Sequence, residues 1–176
     1  MRLLLLATLL VPGLRAHGVQ EPDLSQISGK WFTAALASNK SALIAPGGHF
    51  RVFLDTLDVK DGNVHGDILV PEDGGCKTLS LVAFKTDKND RYQFSLQFQG
   101  HNKMDMVDVE TGEALAIFLN NKYQDETSLV AALVVRTLPA KKDSLDAFER
   151  LCEDRGLHKE QIVLPDHTDH CQTSQS

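Results

Sequence analysis

Three cysteines, Cys76, Cys152 and Cys171, carry the most definite chemistry in this chain. A cysteine can form a disulfide, bind a metal ion or act as a nucleophile, and its surroundings decide among these uses. Cys152 follows Leu145 and Phe148 at the spacing of one helical face, so we expect it to be a small buried side chain. Cys171 lies in a polar tail that burial cannot hold in place, and Cys76 opens a predicted strand. We therefore predict a Cys76–Cys171 disulfide, with Cys152 free.

Two histidines beside Cys171, His167 and His170, offer metal binding as a second chemistry. Such a site would need the Cys171 thiolate as a further ligand, and the predicted disulfide consumes it. The chain contains no Gly-x-Ser-x-Gly, no His-Glu-x-x-His and no phosphate-binding loop, because Ser28-Gly29-Lys30 lacks the upstream glycine. We therefore expect no metal, no cofactor and no catalytic residue, and a protein that is not an enzyme.

The first 16 residues are typical of a secretory signal peptide. Arg2 supplies the positive charge, residues 3–11 form an apolar run, and Ala16 suits a cleavage site. A membrane-spanning helix needs about 20 apolar residues, so this run is too short to span, and no later segment is apolar enough. We expect secretion into an extracellular fluid and one mature domain over residues 17–176.

The charge of the chain argues against nucleic acid as a partner. The full sequence has 18 Lys and Arg against 24 Asp and Glu, a net charge of −6. Loss of Arg2 and Arg15 with the leader leaves 16 against 24, or −8. An acidic surface repels phosphates, whereas it helps to keep a small secreted protein soluble.

Strand signals recur every 10 to 14 residues, with turn residues between them. The predicted strands cover residues 31–38, 50–59, 63–70, 76–85, 91–99, 102–109, 113–120 and 127–137. Short turns between successive strands favour an all-β fold, an eight-stranded antiparallel up-and-down barrel, over a sandwich. An amphipathic helix is predicted over residues 143–155, with Asp143 or Ser144 as its cap and Gly156 at its end. Because the last strand is apolar on both faces, this helix should cover its outer face.

Alternation along the strands predicts which side chains point into the barrel. Phe50, Val52 and Leu54 alternate with the charged Arg51 and Asp55. In the fifth strand the inward set is Tyr92, Phe94, Leu96 and Phe98. An eight-stranded barrel is either filled by such side chains or holds one small ligand. Small residues at Ala83 and Ala132 favour the second alternative.

The sequence resembles the lipocalin family along its whole mature length. The motifs that carry the resemblance are Gly29-Lys30-Trp31, Arg136 at the end of the last strand, and Phe148-x-x-x-Cys152-x-x-x-Gly156. Three phrases resemble the branch of urinary, odorant-binding, salivary and dander lipocalins that includes inhalant allergens: residues 37–41, 48–53 and 157–162. The resemblance implies structural roles for Gly29, Trp31 and Arg136, with Arg136 packed across the Trp31 ring at the closed end.

The resemblance further implies a secreted carrier of small hydrophobic ligands of the odorant, pheromone or lipid class, and an allergen. By resemblance and alternation together, the expected ligand-binding residues are Phe50, Val52, Leu54, Leu57, Ile68, Leu81, Ala83, Phe94, Leu96, Met104, Ile117, Leu119, Val130, Ala132 and Val134. Leu96 stands where related proteins often carry a tyrosine, so we expect a dry pocket. The alternative is a protein-facing lipocalin, a protease inhibitor or receptor-delivery protein, with the cavity secondary. A weak homodimer and a cell-surface receptor are further partners that the resemblance suggests.

One modification site is visible in the sequence. Asn39-Lys40-Ser41 has the pattern of an N-glycosylation acceptor in a secreted chain. It follows the first predicted strand, on the loop that lies over the open mouth of a lipocalin barrel.

Overall fold

The computed structural model describes residues 20–88, 91–166 and 171. The predicted signal peptide and the His167 and His170 pair lie outside these residues. The strands are β1 (Gly29–Lys30), β2 (Phe32–Ser38), β3 (Phe53–Lys60), β4 (Asn63–Glu72), β5 (Gly75–Lys88), β6 (Arg91–Gln97), β7 (His101–Glu110), β8 (Ala114–Tyr123), β9 (Glu126–Val135) and β10 (Ile162–Val163). The helix α1 covers Lys142–Glu153, and short 3₁₀ turns cover Leu24–Gln26, Ser41–Leu43 and Lys159–Gln161.

The sheet closes through the run of chain that holds β1 and β2. Strands β3 to β9 pair antiparallel with their neighbours in chain order. β1 pairs with β3 at one edge, and β2 pairs with β9 at the other. Because only Trp31 separates β1 from β2, one segment joins the two edges of the sheet. The predicted up-and-down barrel is confirmed, with β10 added outside β2.

The connections divide the barrel into two ends. One end, the mouth, carries residues 39–52 (the mouth loop), residues 98–100 (the mouth turn) and the turns at 73–74 and 124–125. The other end carries the turn at 61–62, the turn at 111–113 and the 3₁₀ turn Leu24–Gln26. This second end is the closed end.

Register shifts in two strands change which side chains face inward. In β2 the shift lies between Thr33 and Ala35, and in β3 it lies between Leu54 and Thr56. An extra residue reverses the alternation beyond it. Leu54 and Leu57 therefore both face the interior, although strict alternation would place them on opposite faces.

The helix covers the outer face of the last strands, as predicted. Phe148 and Cys152 of α1 are buried against a cluster that includes Ala131, Leu133 and Phe118. The Phe148 and Phe118 rings stack with centroids 6.4 Å apart. The apolar outer face of β9 thus belongs to a second core between the sheet and the helix.

Several predicted boundaries are wrong. Strand β6 ends at Gln97 rather than at residue 99, so Phe98 lies in the mouth turn. Strand β3 begins at Phe53 rather than at residue 50, so Phe50 lies in the mouth loop. The helix begins at Lys142, and its cap residue is Lys141, which makes no side-chain capping bond, rather than Asp143 or Ser144. Ser144 is instead buried in the first turn. At the other end Gly156 adopts the left-handed conformation, with φ of 80°, as predicted.

A disulfide bond joins Cys76 at the start of β5 to Cys171, with their Cα atoms 5.6 Å apart. This is the pairing predicted from the sequence. Cys152 is free and buried. No helix within the described residues is long and apolar enough to cross a membrane.

Candidate functional site

The closed end of the barrel is sealed by Trp31 and Arg136. Trp31 is fully buried, and its indole Nε1 donates a hydrogen bond of 2.7 Å to the Ile27 carbonyl. The guanidinium of Arg136 lies 3.9 Å from the centroid of the Trp31 ring. Burial lowers the pKa of Arg136, an effect that the nearby Glu113 opposes. Together the guanidinium and the indole ring close this end of the barrel, and we call them the floor of the cavity.

Arg136 also ties the surrounding chain together with four hydrogen bonds to carbonyl oxygens. Its nitrogens donate to Gly112, Lys30, Gln26 and Ser28 at distances of 2.8 to 3.0 Å. The planar fork of an arginine suits several acceptors at once. One side chain thus holds the 3₁₀ turn, the β1 strand and the turn at 111–113 over the floor.

Above this floor the barrel holds an apolar cavity of about 120 Å³. The residues that line it are Thr33, Leu36, Phe50, Val52, Leu54, Leu57, Val64, Gly66, Ile68, Leu81, Ala83, Leu96, Phe98, Met104, Met106, Ile117, Leu119, Val130, Ala131, Ala132 and Val134. They come from every strand of the barrel that is longer than two residues, and Phe50, Val52 and Phe98 come from the mouth. The interior is therefore a hollow, not a core filled by side chains.

Fourteen of the fifteen residues predicted to bind ligand line this cavity. Phe94 does not; its side chain is buried in the apolar cluster around the cavity, 1% exposed. Seven lining residues are absent from the predicted ligand-binding set, although alternation already placed Phe98 among the inward side chains: Thr33, Leu36, Val64, Gly66, Phe98, Met106 and Ala131. Every second residue of a strand faces the same side, so Ile68 predicts Gly66 and Val64 on β4, and Met104 predicts Met106 on β7. Thr33 and Leu36 are hidden by the register shift in β2.

The cavity wall offers a ligand almost no hydrogen-bonding group. Among the lining residues, Thr33 has the one polar side chain, and its hydroxyl already accepts a 2.9 Å hydrogen bond from the Leu54 backbone N–H. Leu96, at the position where related proteins often carry a tyrosine, is buried. Such a wall selects ligands by size and apolar surface rather than by polar contacts.

At the mouth two aromatic rings lie between the cavity and the solvent. Phe50 of the mouth loop and Phe98 of the mouth turn meet edge to face, with centroids 5.5 Å apart. Phe50 is 3% exposed and packs with Ile44, Leu36 and Val130. The backbone N–H of Phe50 donates to the Leu43 carbonyl at 2.8 Å, which folds the loop over the barrel.

Beyond these rings lies an outer groove of about 280 Å³. It is lined by residues of the mouth loop, by the ends of β4 and β5 and by the mouth turn. Its polar members include His49, Lys77 and Glu72, and Phe98 lines both the groove and the cavity. The Phe98 ring therefore forms part of the partition between an apolar interior and a polar exterior.

The free thiol of Cys152 is poorly suited to nucleophilic catalysis. Burial raises the pKa of the Cys152 thiol to about 12, and Glu149 and Glu153 add to the shift while Arg155 opposes it. A thiol with such a pKa is a poor nucleophile at neutral pH. Within the described residues no group of three or more His, Cys, Asp or Glu side chains could hold a metal ion.

Asn39 is exposed at the end of β2. Its side-chain Oδ1 accepts a 2.9 Å hydrogen bond from the backbone N–H of Leu129. This bond fixes the amide beside the mouth.

Comparison with known proteins decides the family. A match to the lipocalin and cytosolic fatty-acid binding protein family covers residues 28–169. The chain is a lipocalin. It is 48% identical to the minor allergen Can f 2 of the dog, Canis lupus familiaris, over 99% of each chain. The predicted resemblance to the allergen branch of the lipocalins is confirmed.

Two solved structures show related lipocalins with guests. Possum milk whey trichosurin, solved with bound 4-ethylphenol, is 32% identical to this lipocalin. The match covers 82% of this chain and 99% of trichosurin, with a TM-score of 0.75. Bovine odorant binding protein in complex with undecanal is 27% identical, with a TM-score of 0.57. That match covers 81% of this chain and 91% of the bovine protein.

Proposed function

We propose that this lipocalin is a secreted carrier of small hydrophobic molecules of the odorant, pheromone or lipid class, held inside the barrel. The observation that carries the proposal is the cavity of about 120 Å³ with an apolar wall inside the barrel. Water gains little in such a space, and an apolar guest gains by leaving water. Burial of about 300 Å² of ligand surface contributes about 7 kcal/mol before the costs of association, which suits micromolar binding.

The relatives support this proposal by the guests they hold. 4-Ethylphenol in trichosurin and undecanal in the bovine protein are both small molecules with a large apolar part. The fourteen predicted residues that line the cavity are the expected contacts. Secretion and cleavage after residue 16 belong to the same proposal, as does an allergenic role, which the 48% identity to Can f 2 supports.

A carrier role also accounts for the absence of a reactive group at the cavity wall. None of the lining residues is a cysteine, histidine or acid. The free thiol of Cys152 lies in the separate core between sheet and helix. We therefore propose binding without chemical change of the ligand.

Displacement of a fluorescent probe tests the proposal. N-phenyl-1-naphthylamine should bind with micromolar affinity and should be displaced by 4-ethylphenol and by undecanal. Ala83→Trp and Ala132→Trp, which fill the cavity, should each weaken probe binding at least about tenfold with an unchanged far-UV circular dichroism spectrum.

Val82→Trp is the matched control. Val82 is the residue before Ala83 on β5, is half-buried and does not line the cavity. Its replacement should leave probe binding within about twofold of the wild type. Probe binding that survives both cavity-filling changes would refute the carrier proposal and favour a protein-facing role.

A further inference from the structure

We propose that Phe98 is the gate of the cavity and that a buried amide pair, Asn102 and Asn121, holds this gate closed and so sets how fast ligands exchange. The proposal rests on the carrier function and adds residues that control access rather than affinity. Three observations carry it: the position of Phe98, the exposure of the two mouth rings, and the hydrogen bonds of the amide pair.

Passage to the cavity is least obstructed at Phe98. Arg136 and Trp31 seal the closed end, and hydrogen-bonded strands form the walls. At the mouth, Phe50 is 3% exposed and anchored among apolar neighbours, whereas Phe98 is only partly buried. Since Phe98 lines both the cavity and the outer groove, rotation of its ring connects the two spaces.

The mouth turn that carries Phe98 is held by side-chain amides. Asn102 is fully buried, and its Nδ2 donates to the carbonyls of Leu96 at 3.1 Å and Phe98 at 2.7 Å. The Nδ2 of Asn121 donates to the Gln99 carbonyl at 2.9 Å and to the Oδ1 of Asn102 at 3.0 Å. The carbonyls of Phe98 and Gln99 are therefore both held by the hydrogen-bonded pair of Asn102 and Asn121.

The backbone of the same turn allows little adjustment while the network is intact. Gln99 has φ of 51° and Gly100 has φ of 99°, so both occupy the left-handed region. A Cβ at Gly100 would lie 2.4 Å from the Lys122 carbonyl oxygen, which shows how closely the turn approaches β8. Buried amides in an apolar setting form strong bonds whose loss leaves unpaired groups. The amide pair thus favours the closed position of Phe98.

A gate has a kinetic signature that a wall contact lacks. If ligand passes only when Phe98 swings away, the association and dissociation rates both scale with the open fraction. A change that raises the open fraction accelerates both rates equally and leaves the dissociation constant unchanged. Loss of a simple wall contact raises the dissociation rate alone.

Stopped-flow binding of N-phenyl-1-naphthylamine to the wild type and to Asn121→Ala and Phe98→Ala tests the gate. Each variant should raise both rate constants about tenfold, which is the effect of losing one or two buried hydrogen bonds or one blocking ring. The dissociation constant of Asn121→Ala, which does not line the cavity, should stay within about threefold. Phe98→Ala also removes a ring that lines the cavity, so its dissociation rate should rise more than its association rate.

Two matched controls use the same residue types at exposed positions. Asn120 is exposed next to Asn121, and Phe84 is 57% exposed on β5. Asn120→Ala and Phe84→Ala should leave both rates unchanged. Rates unaltered in Asn121→Ala and Phe98→Ala, or a faster dissociation with an unchanged association, would overturn the gate. Failure of the wild type to bind the probe would instead refute the carrier function, so the two failures are distinct.

Discussion

At the residue scale, two side chains with reactive or charged groups contribute to packing rather than to catalysis. Cys152 has the group most able to react, yet it lies in an apolar core where the thiolate is disfavoured. Arg136 carries a permanent charge, yet its guanidinium donates hydrogen bonds to four carbonyls and stacks on the Trp31 ring. Both side chains serve structure.

The Cys152 thiol should resist alkylation in the folded protein. With a pKa of about 12, it is ionised at pH 8 in only about one molecule in ten thousand. Iodoacetamide, followed by intact mass, should leave the native chain unmodified and should add one group in 6 M guanidinium without reductant. Rapid modification of the native chain would contradict this burial.

The same pKa shift makes folding depend on alkaline pH. The unfolded thiol ionises near its ordinary pKa of 9.0, whereas the folded thiol keeps its proton to about pH 12. Stability should therefore fall as the pH rises above about 9. Guanidinium unfolding between pH 8 and 10 should show a weaker decline in Cys152→Ala than in the wild type. Equal declines would contradict the linkage.

Arg136→Lys should destabilise the fold although it keeps the charge. A lysine ammonium cannot reach four carbonyls and stack on Trp31 at once, so we expect a loss of about 2 kcal/mol in the free energy of unfolding. Arg150→Lys, at an exposed position on α1, is the control and should change stability by less than about 0.5 kcal/mol. Equal unfolding midpoints for both variants would count against the floor assigned to Arg136.

At the element scale, regular strands were predictable and irregular ones were not. Clean alternation in residues 91–97 and the apolar run of β9 indicated the barrel and the need for an outer helix. The register shifts in β2 and β3 depend on pairing between strands distant in sequence, and no local pattern encodes them. Phe50 continues the alternation of Val52 and Leu54, which predicts a strand. In the structure it lies in the mouth loop, where it packs against residues distant in sequence.

Within the mouth loop, the backbone at Gly48 passes close to the backbone at Ala42 and Leu43. A Cβ at Gly48 would lie 2.4 Å from the Leu43 carbonyl oxygen and 2.5 Å from that of Ala42. Gly48→Ala should therefore displace the loop, lower the free energy of unfolding by about 1 to 3 kcal/mol and weaken probe binding through Phe50.

Gly75→Ala is the control for this change, because nothing lies within 4 Å of a Cβ there and its φ is not in the left-handed region. Thermal unfolding and probe titration of the two variants would measure the difference. A Gly48→Ala protein with the stability and affinity of the Gly75→Ala protein would show that the loop tolerates the added methyl group.

At the scale of the whole molecule, two separate apolar cores have two separate tasks. The core between α1 and the outside of the sheet is closely packed and holds Phe118, Phe148 and Cys152. The interior of the barrel retains a hollow because small side chains such as Ala83, Ala132 and Gly66 stand among larger ones.

The dry interior sets a preference among guests. Because the Thr33 hydroxyl is engaged with Leu54 and the position of Leu96 supplies no hydroxyl, a polar group inside the cavity would lose its hydrogen bonds to water. We expect 1-octanol to displace the probe no better than octane does. A strong preference for the alcohol in competition titrations would reveal a polar partner that this wall does not provide.

The most direct test of the carrier account is a crystal of the protein soaked with 4-bromotoluene, measured at the bromine absorption edge. The account predicts one strong anomalous peak inside the barrel, between Ala83, Ala132 and Ile117 and below the Phe50 and Phe98 rings. An interior filled by the protein's own side chains, with bromine found only on the outer surface, would contradict it.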